Sequence, residues 1–231
     1  MAINIPDTIA AVAALGTASY GFVDASKSVY GGISRAGFVY IRSAVRWLFP
    51  QDASVNDKQT PLSLGAVLDT LYANWINGTP MADQKAIAKS LIKLRLSPAN
   101  AAFLAGKVGV DPAILTDVAT KISTGAALTS SEADVFGRFD LLLSTALDEG
   151  YQRADQRYRN WCKAMAIPVS VILGALGGWA ISGLSYAVYI QSDLFYEALV
   201  AGLVATPLAP VAKDLSSAVQ AATKAAKVLR G

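Results

Sequence analysis

The amino-acid sequence predicts an all-α integral membrane protein with three transmembrane helices, namely an N-terminal span and a C-terminal helical hairpin, with a cytoplasmic helical bundle inserted between them. The first observation is composition: 53% of the 231 residues are hydrophobic, only 16% are charged, and the mean hydropathy is +0.39. Soluble domains carry a larger share of charge. The second observation is that long uncharged stretches occur near both ends, whereas the middle has helical periodicity without strand alternation.

The N-terminal span is predicted within residues 1–26. Thr8 to Val23 is an uncharged, alanine-rich stretch of sixteen residues, so flanking residues must extend it to cross a hydrocarbon core of about 30 Å. No basic residue precedes this stretch, which favours a retained helix over a cleaved signal peptide. An alternative topology places a span at residues 29–41, but it would put Arg35 into the hydrocarbon without a partner.

Residues 27–49 are predicted to form a basic amphipathic helix, with Gly31 and Gly32 as a point where it can break. At 100° per residue its cations share one sector and apolar side chains gather opposite. Two interpretations stay open: the charged side faces water or anionic headgroups, or several copies surround an axis and form an electropositive pore vestibule. The candidate pore-facing or headgroup-facing residues are Lys27, Arg35, Arg42 and Arg46.

Residues 50–162 are predicted to form the cytoplasmic helical domain. Apolar residues from Leu64 to Trp75 recur with the spacing of a buried helical stripe. Helix starts are predicted where a capping residue precedes a proline, or where Thr and Glu are spaced as a capping box. These starts are Ser97-Pro98, Asp111-Pro112 and Thr129 with Glu132.

A run of lysines lies on one side of the predicted helix at about residues 81–96. Lys85, Lys89 and Lys93 are four residues apart and therefore share a helix face. We interpret this face as solvated, with binding of an acidic partner or of lipid headgroups as the alternative.

Residues 163–212 are predicted to form the transmembrane hairpin. The 28 residues from Ala164 to Gln191 carry no charge and, as one helix, would measure about 42 Å. A second apolar run extends from Leu194 to Ala212. Small residues recur along both helices, which lets membrane helices approach closely and favours a homo-oligomer. The predicted helix-packing interface comprises Ser170, Gly174, Gly178, Ser182, Ala201, Gly202 and Ala205.

The distribution of Lys and Arg predicts the topology. Basic residues flank the region between the first and second spans and recur in the tail, residues 213–231. The positive-inside rule therefore places both in the cytoplasm, with the N-terminus and the hairpin tip outside. The tail is predicted to be a basic amphipathic segment on an anionic inner leaflet.

The sequence offers little for catalysis. It has no histidine and one cysteine, Cys162, and it has no nucleotide-binding or zinc-binding motif. We therefore predict no enzyme, no cofactor and no metal site, and the net charge of +3 gives no reason to expect nucleic-acid binding. The predicted function is a non-enzymatic, self-associating structural or interaction subunit of a membrane assembly, bound to further copies and to an unknown protein partner. The alternative is a homo-oligomeric ion channel with an electropositive cytoplasmic vestibule.

Overall fold

A computed structural model of the chain describes residues 5–29, 31–50 and 53–210, and within these residues the regular structure is entirely helical. The all-α prediction is confirmed. The predicted basic tail, residues 213–231, lies outside the described residues. The helices are α1 (Ile5–Ala25), a 3-10 turn (Ser26–Ser28), α2 (Ser34–Trp47), α3 (Leu64–Ile76), α4 (Met81–Leu94), α5 (Pro98–Val108), α6 (Pro112–Thr124), α7 (Ser130–Ser182), α8 (Tyr186–Tyr189) and α9 (residues 193–210).

The chain forms two compact units. The bundle unit is Ser34–Tyr158, and the terminal unit consists of the residues up to Ile33 and from Arg159 onward. Helix α7 has 53 residues, about 80 Å of helix, and contributes to both units.

Local capping explains where several helices of the bundle unit begin. The Asp111 carboxylate accepts hydrogen bonds from the backbone N–H groups of Ala113 and Ile114, at 2.9 and 3.0 Å. The predicted capping box at α7 is confirmed, because the Thr129 N–H donates to Glu132 Oε2 at 2.7 Å and the Glu132 N–H donates to Thr129 Oγ1 at 3.4 Å. These bonds satisfy donors that the first turn of a helix leaves unpaired.

The bundle unit has one apolar core, to which α2 to α7 all contribute. The region predicted as a separate domain started at residue 50, whereas this unit starts at Ser34, because one side of α2 lies in the core. The large residues of α2, α3 and α7 that are buried in this core are Phe38, Ile41, Val45, Leu64, Val67, Leu68, Leu71, Phe139, Leu143, Leu147 and Tyr151. Burial raises the pKa of the Tyr151 hydroxyl above its usual range.

The amphipathic helix predicted over residues 27–49 is interrupted at the two glycines. Gly31 and Gly32 have φ values of +79° and +40°, and α2 starts only at Ser34. A side chain on Gly32 would collide with the Ser26 backbone carbonyl. The expected break therefore exists, and it requires the conformational freedom of glycine.

The prediction of a single helix across residues 164–191 is wrong, because α7 ends at Ser182. Gly183 has a φ of +66°, a left-handed conformation that ends a helix without steric cost for glycine. The chain then forms the four-residue helix α8 and enters α9 at residue 193. The Tyr189 hydroxyl donates to the Ala175 carbonyl at 2.9 Å and holds this turn against α7.

Two helices in the described part of the chain are long and apolar enough to cross a membrane. One includes the window Thr8–Ala25 of α1 and the other is α7. Only 17% of the first window and 11% of the second are buried. Helices of this kind in the core of a soluble protein are mostly buried, so their apolar surfaces here are covered very little by the chain itself.

Candidate functional site

The terminal unit exposes large apolar side chains along its helices. Ile181 is 88% exposed and Ile172 is 57% exposed. Many exposed large apolar side chains in one unit are typical of a surface that contacts lipid or another protein. The exposed large apolar residues of the unit are Phe22, Val29, Trp161, Met165, Ile172, Leu176, Trp179, Ile181, Leu184, Tyr186, Val188, Leu194, Tyr196, Val200, Leu203 and Leu208.

Small residues bring α7 and α9 into close contact. A Cβ atom on Gly202 would lie 2.5 Å from Val171 Cα and 2.6 Å from the Ser170 carbonyl oxygen. A Cβ atom on Gly174 would lie 2.9 Å from the Ala198 carbonyl oxygen. Side chains larger than hydrogen at these two glycines would therefore force the helices apart.

A polar contact is buried at the same crossing. The Ser170 hydroxyl, which is fully buried, donates to the Gly202 carbonyl at 2.6 Å. The Thr206 hydroxyl in turn donates to Ser170 Oγ at 3.1 Å. Hydrogen bonds between helices are a second source of association where no water competes for the donors.

Helix α1 meets α9 in the same way. A Cβ atom on Gly16 would lie 2.6 Å from Ala209 Cβ and would collide with the Ala205 carbonyl oxygen. Gly178 faces the Tyr189 hydroxyl and Ala198. Much of the small-residue surface predicted from sequence is thus used between helices of one chain.

The remaining two residues of the predicted helix-packing interface are Ser182 and Ala201. The Ser182 hydroxyl donates to the Trp179 carbonyl of its own helix at 2.8 Å, and Ala201 is half-buried. By contrast, a Cβ atom added to Gly177 would meet no other atom within 4 Å, so this side of α7 is open.

The predicted basic residues belong to both units. On α2, Arg35, Arg42 and Arg46 are exposed. The Arg35 Nε donates to the Tyr72 hydroxyl at 3.3 Å, and the Arg42 guanidinium lies 5.8 Å from the centre of the Phe38 ring. Lys27, in the terminal unit, pairs with Asp24 at 3.0 Å.

Sequence reasoning missed the ionic contacts of the lysine run on α4. Lys89 and Lys93 both bind the Asp140 carboxylate on α7, at 3.0 and 2.8 Å, and Lys85 pairs with Asp148. The Lys93 hydrogen bond, with help from Lys89, holds the pKa of Asp140 below its usual range despite partial burial. The signal was the matching helical spacing of Asp140 and Asp148 in the sequence.

Comparisons with known protein families, with curated proteins and with solved structures found no match for this chain.

Proposed function

We propose that this protein is a non-enzymatic, membrane-anchored interaction subunit. The terminal unit inserts into the bilayer through three helices: α1, the part of α7 after Lys163, and α9. The bundle unit stands in the cytoplasm and presents the surface that partners bind. The observation that supports this proposal most strongly is the exposed apolar surface of the terminal unit.

The energetics of that surface favour a lipid environment. Burial of an aliphatic or aromatic side chain is worth about 1.5–3 kcal/mol relative to exposure in water. Ile181, Ile172 and Val200, for example, are each more than half exposed. A bilayer removes this surface from water without any further protein contact. The uncharged part of α7, residues 164–182, is about 28 Å long and α9 is about 27 Å long, both close to the thickness of the hydrocarbon core.

The proposed topology follows the positive-inside rule. Several basic residues precede the uncharged part of α7, whereas the turn at residues 183–192 has none. We therefore place the bundle unit and the tail in the cytoplasm, and the N-terminus and the α7–α9 turn on the opposite side.

The anchor is tested with two matched substitutions on α7. Ile172→Lys places a charge in the middle of the proposed span, at a cost of about 3 kcal/mol for insertion. Leu141→Lys adds the same charge at a position that is 69% exposed but lies in the bundle unit. We expect wild type and Leu141→Lys to remain in the membrane after carbonate extraction, and a large part of Ile172→Lys to be released. Equal extraction of the two variants, or release of wild type, would contradict the anchor.

Self-association is part of the proposal, and the open side of α7 at Gly177 is its candidate contact. Small residues favour association of membrane helices when nothing else occupies them. Gly177→Leu is expected to lower the molecular mass measured by light scattering in detergent, whereas wild type runs as an oligomer. The channel hypothesis stays a prediction, because it requires several copies of α2 to surround an axis.

A further inference from the structure

The terminal unit contains an amphipathic cavity of about 560 Å³, lined by residues of α1, α7 and α9. This volume lies within the range of small-molecule sites, about 300–1,000 Å³. Its polar lining includes Arg159 and Lys163 of α7 and two hydroxyl side chains, Thr17 of α1 and Thr206 of α9. The rest of the lining is largely apolar, including Ile167. A ligand that fits this lining combines a polar, charged end with an apolar end.

The two cations among the lining residues favour an anionic group on the ligand. Arg159 and Lys163 are four residues apart on α7 and therefore lie on one face of the helix. No acidic side chain is among the described residues that line the cavity. A guanidinium binds a phosphate with two parallel hydrogen bonds, and an ammonium adds a point charge beside it.

The position of the two cations along α7 indicates the depth of the site. Lys163 is the last charged residue before the uncharged residues 164–182. In the proposed anchor this is the level at which the hydrocarbon ends and the headgroups begin. Basic pockets between transmembrane helices on the cytoplasmic side are sites for phosphate-bearing lipid headgroups.

One wall of the cavity is fixed by a contact between helices. Tyr20 of α1, which lines the cavity, lies beside Cys162 of α7, and Gly16 of α1 packs against Ala209 of α9. Cys162 is fully buried. The shape of the site is therefore built by packing and does not need the ligand to create it.

We propose that this cavity binds the phosphate and upper acyl chains of one anionic phospholipid from the cytoplasmic leaflet. The phosphate contacts Arg159 and Lys163, the Thr17 hydroxyl donates to a glycerol or ester oxygen, and an acyl chain follows the apolar lining beside Thr206, whose hydroxyl proton is donated to Ser170 Oγ. This inference rests on the proposed membrane anchor and deepens it, because it assigns a lipid class to one site.

The test uses the full-length protein purified in a neutral detergent and native mass spectrometry to count bound lipid. The probes are phosphatidylglycerol, phosphatidylcholine and inorganic phosphate. Wild type is expected to retain one phosphatidylglycerol in preference to phosphatidylcholine and to bind inorganic phosphate weakly. Arg159→Gln with Lys163→Gln is expected to weaken phosphatidylglycerol binding by at least about tenfold.

Two further variants test whether lipid binding depends on the cavity or only on positive charge at the surface of the protein. Arg138→Gln with Arg153→Gln removes two exposed charges from α7 in the bundle unit and is expected to leave binding unchanged. Thr17→Trp fills the cavity and leaves both cations in place, so it is expected to weaken binding as much as the loss of the cations does. Circular dichroism and elution volume identify any variant that fails to fold.

Three results would overturn the lipid site. They are unchanged binding by Thr17→Trp, equal loss in the Arg138 and Arg153 control, and displacement of the lipid by millimolar inorganic phosphate. Failure of the anchor is recognised separately, because it appears as extraction of wild type by carbonate. A protein that resists carbonate but binds no phosphatidylglycerol would keep the anchor and refute the lipid site.

Discussion

The two units of this protein differ in how many large side chains they bury. In the bundle unit large residues such as Ile41, Leu71 and Phe139 are fully buried, together with alanines such as Ala88 and Ala154. In the terminal unit most fully buried residues are small, and large apolar residues are exposed. The small buried residues are Ser19, Cys162, Ala166, Ser170 and Ala205.

Helix α7 contains both arrangements on one continuous helix. Its buried positions recur about every four residues, from Leu143 and Leu147 in the bundle unit to Ala166 and Ser170 in the terminal unit. Water rewards the burial of large apolar groups, whereas lipid does not, so membrane helices gain instead from the close approach that small residues permit. The change of residue size along α7 agrees with the proposed anchor, in which this helix leaves water and enters a bilayer.

The largest expected effect comes from removing a large buried residue of the bundle unit. Leu143 is fully buried, and Leu143→Ala is expected to lower the free energy of unfolding of this unit by about 2–5 kcal/mol, because it leaves a cavity. Leu141→Ala, two residues away and 69% exposed, is the matched control and should change it by less than about 0.5 kcal/mol. Urea denaturation followed by circular dichroism measures both. Equal destabilisation would contradict the described core.

In the terminal unit the substitution that is expected to destabilise the packing replaces a small residue by a large one. Gly202→Val introduces a Cβ atom only 2.5 Å from Val171 Cα, which forces α7 and α9 apart at an expected cost of about 1–3 kcal/mol. Gly177→Val adds the same side chain where nothing lies within 4 Å, so the packing inside one chain should not change. Thermal unfolding in detergent compares the two. Both variants are compared at a dilution in detergent at which light scattering shows monomers. If Gly177→Val then lowered the midpoint of thermal unfolding as much as Gly202→Val, the α7–α9 contact would be wrong.

Local features of this fold were readable from the sequence. A cap such as Asp111 or the Thr129–Glu132 box involves residues at most three apart, so the signal and the structure occupy the same short segment. The helical stripe around Leu71 was readable for the same reason. The spacing of glycines also predicted close helix packing correctly, because such packing depends on the small size of the residues.

Contacts between distant segments of the chain could not be predicted from the sequence in the same way. The charge-free run up to Gln191 looked like one helix, because hydropathy does not register the left-handed conformation of Gly183. The lysines of α4 were interpreted as solvated, although Lys93 and Asp140, 47 residues apart, form an ion pair. The predicted helix-packing interface that includes Gly174 did not specify its partner, and the close contact of Gly174 is with Ala198 of the same chain.

The smallest expected effect concerns the ionic contact between α4 and α7 of the bundle unit. Asp140→Asn removes a carboxylate that binds Lys89 and Lys93, all three of them partly exposed, and is expected to lower the free energy of unfolding by about 1 kcal/mol at neutral pH. Asp134→Asn, an exposed position on the same helix, is the control and should have less effect.

The loss of stability caused by Asp140→Asn is expected to depend on pH. The lysines lower the pKa of Asp140 in the folded protein below the ordinary value of 3.8, so the unfolded chain takes up the proton first as the solution is acidified. The contribution of Asp140 is therefore complete above about pH 4 to 5 and is lost as pH falls through the lower pKa of the folded state. Denaturation of wild type and Asp140→Asn at pH 7 and pH 3 should give a smaller difference at pH 3. A difference that grew on acidification would mean that the ion pairs do not stabilise the bundle unit.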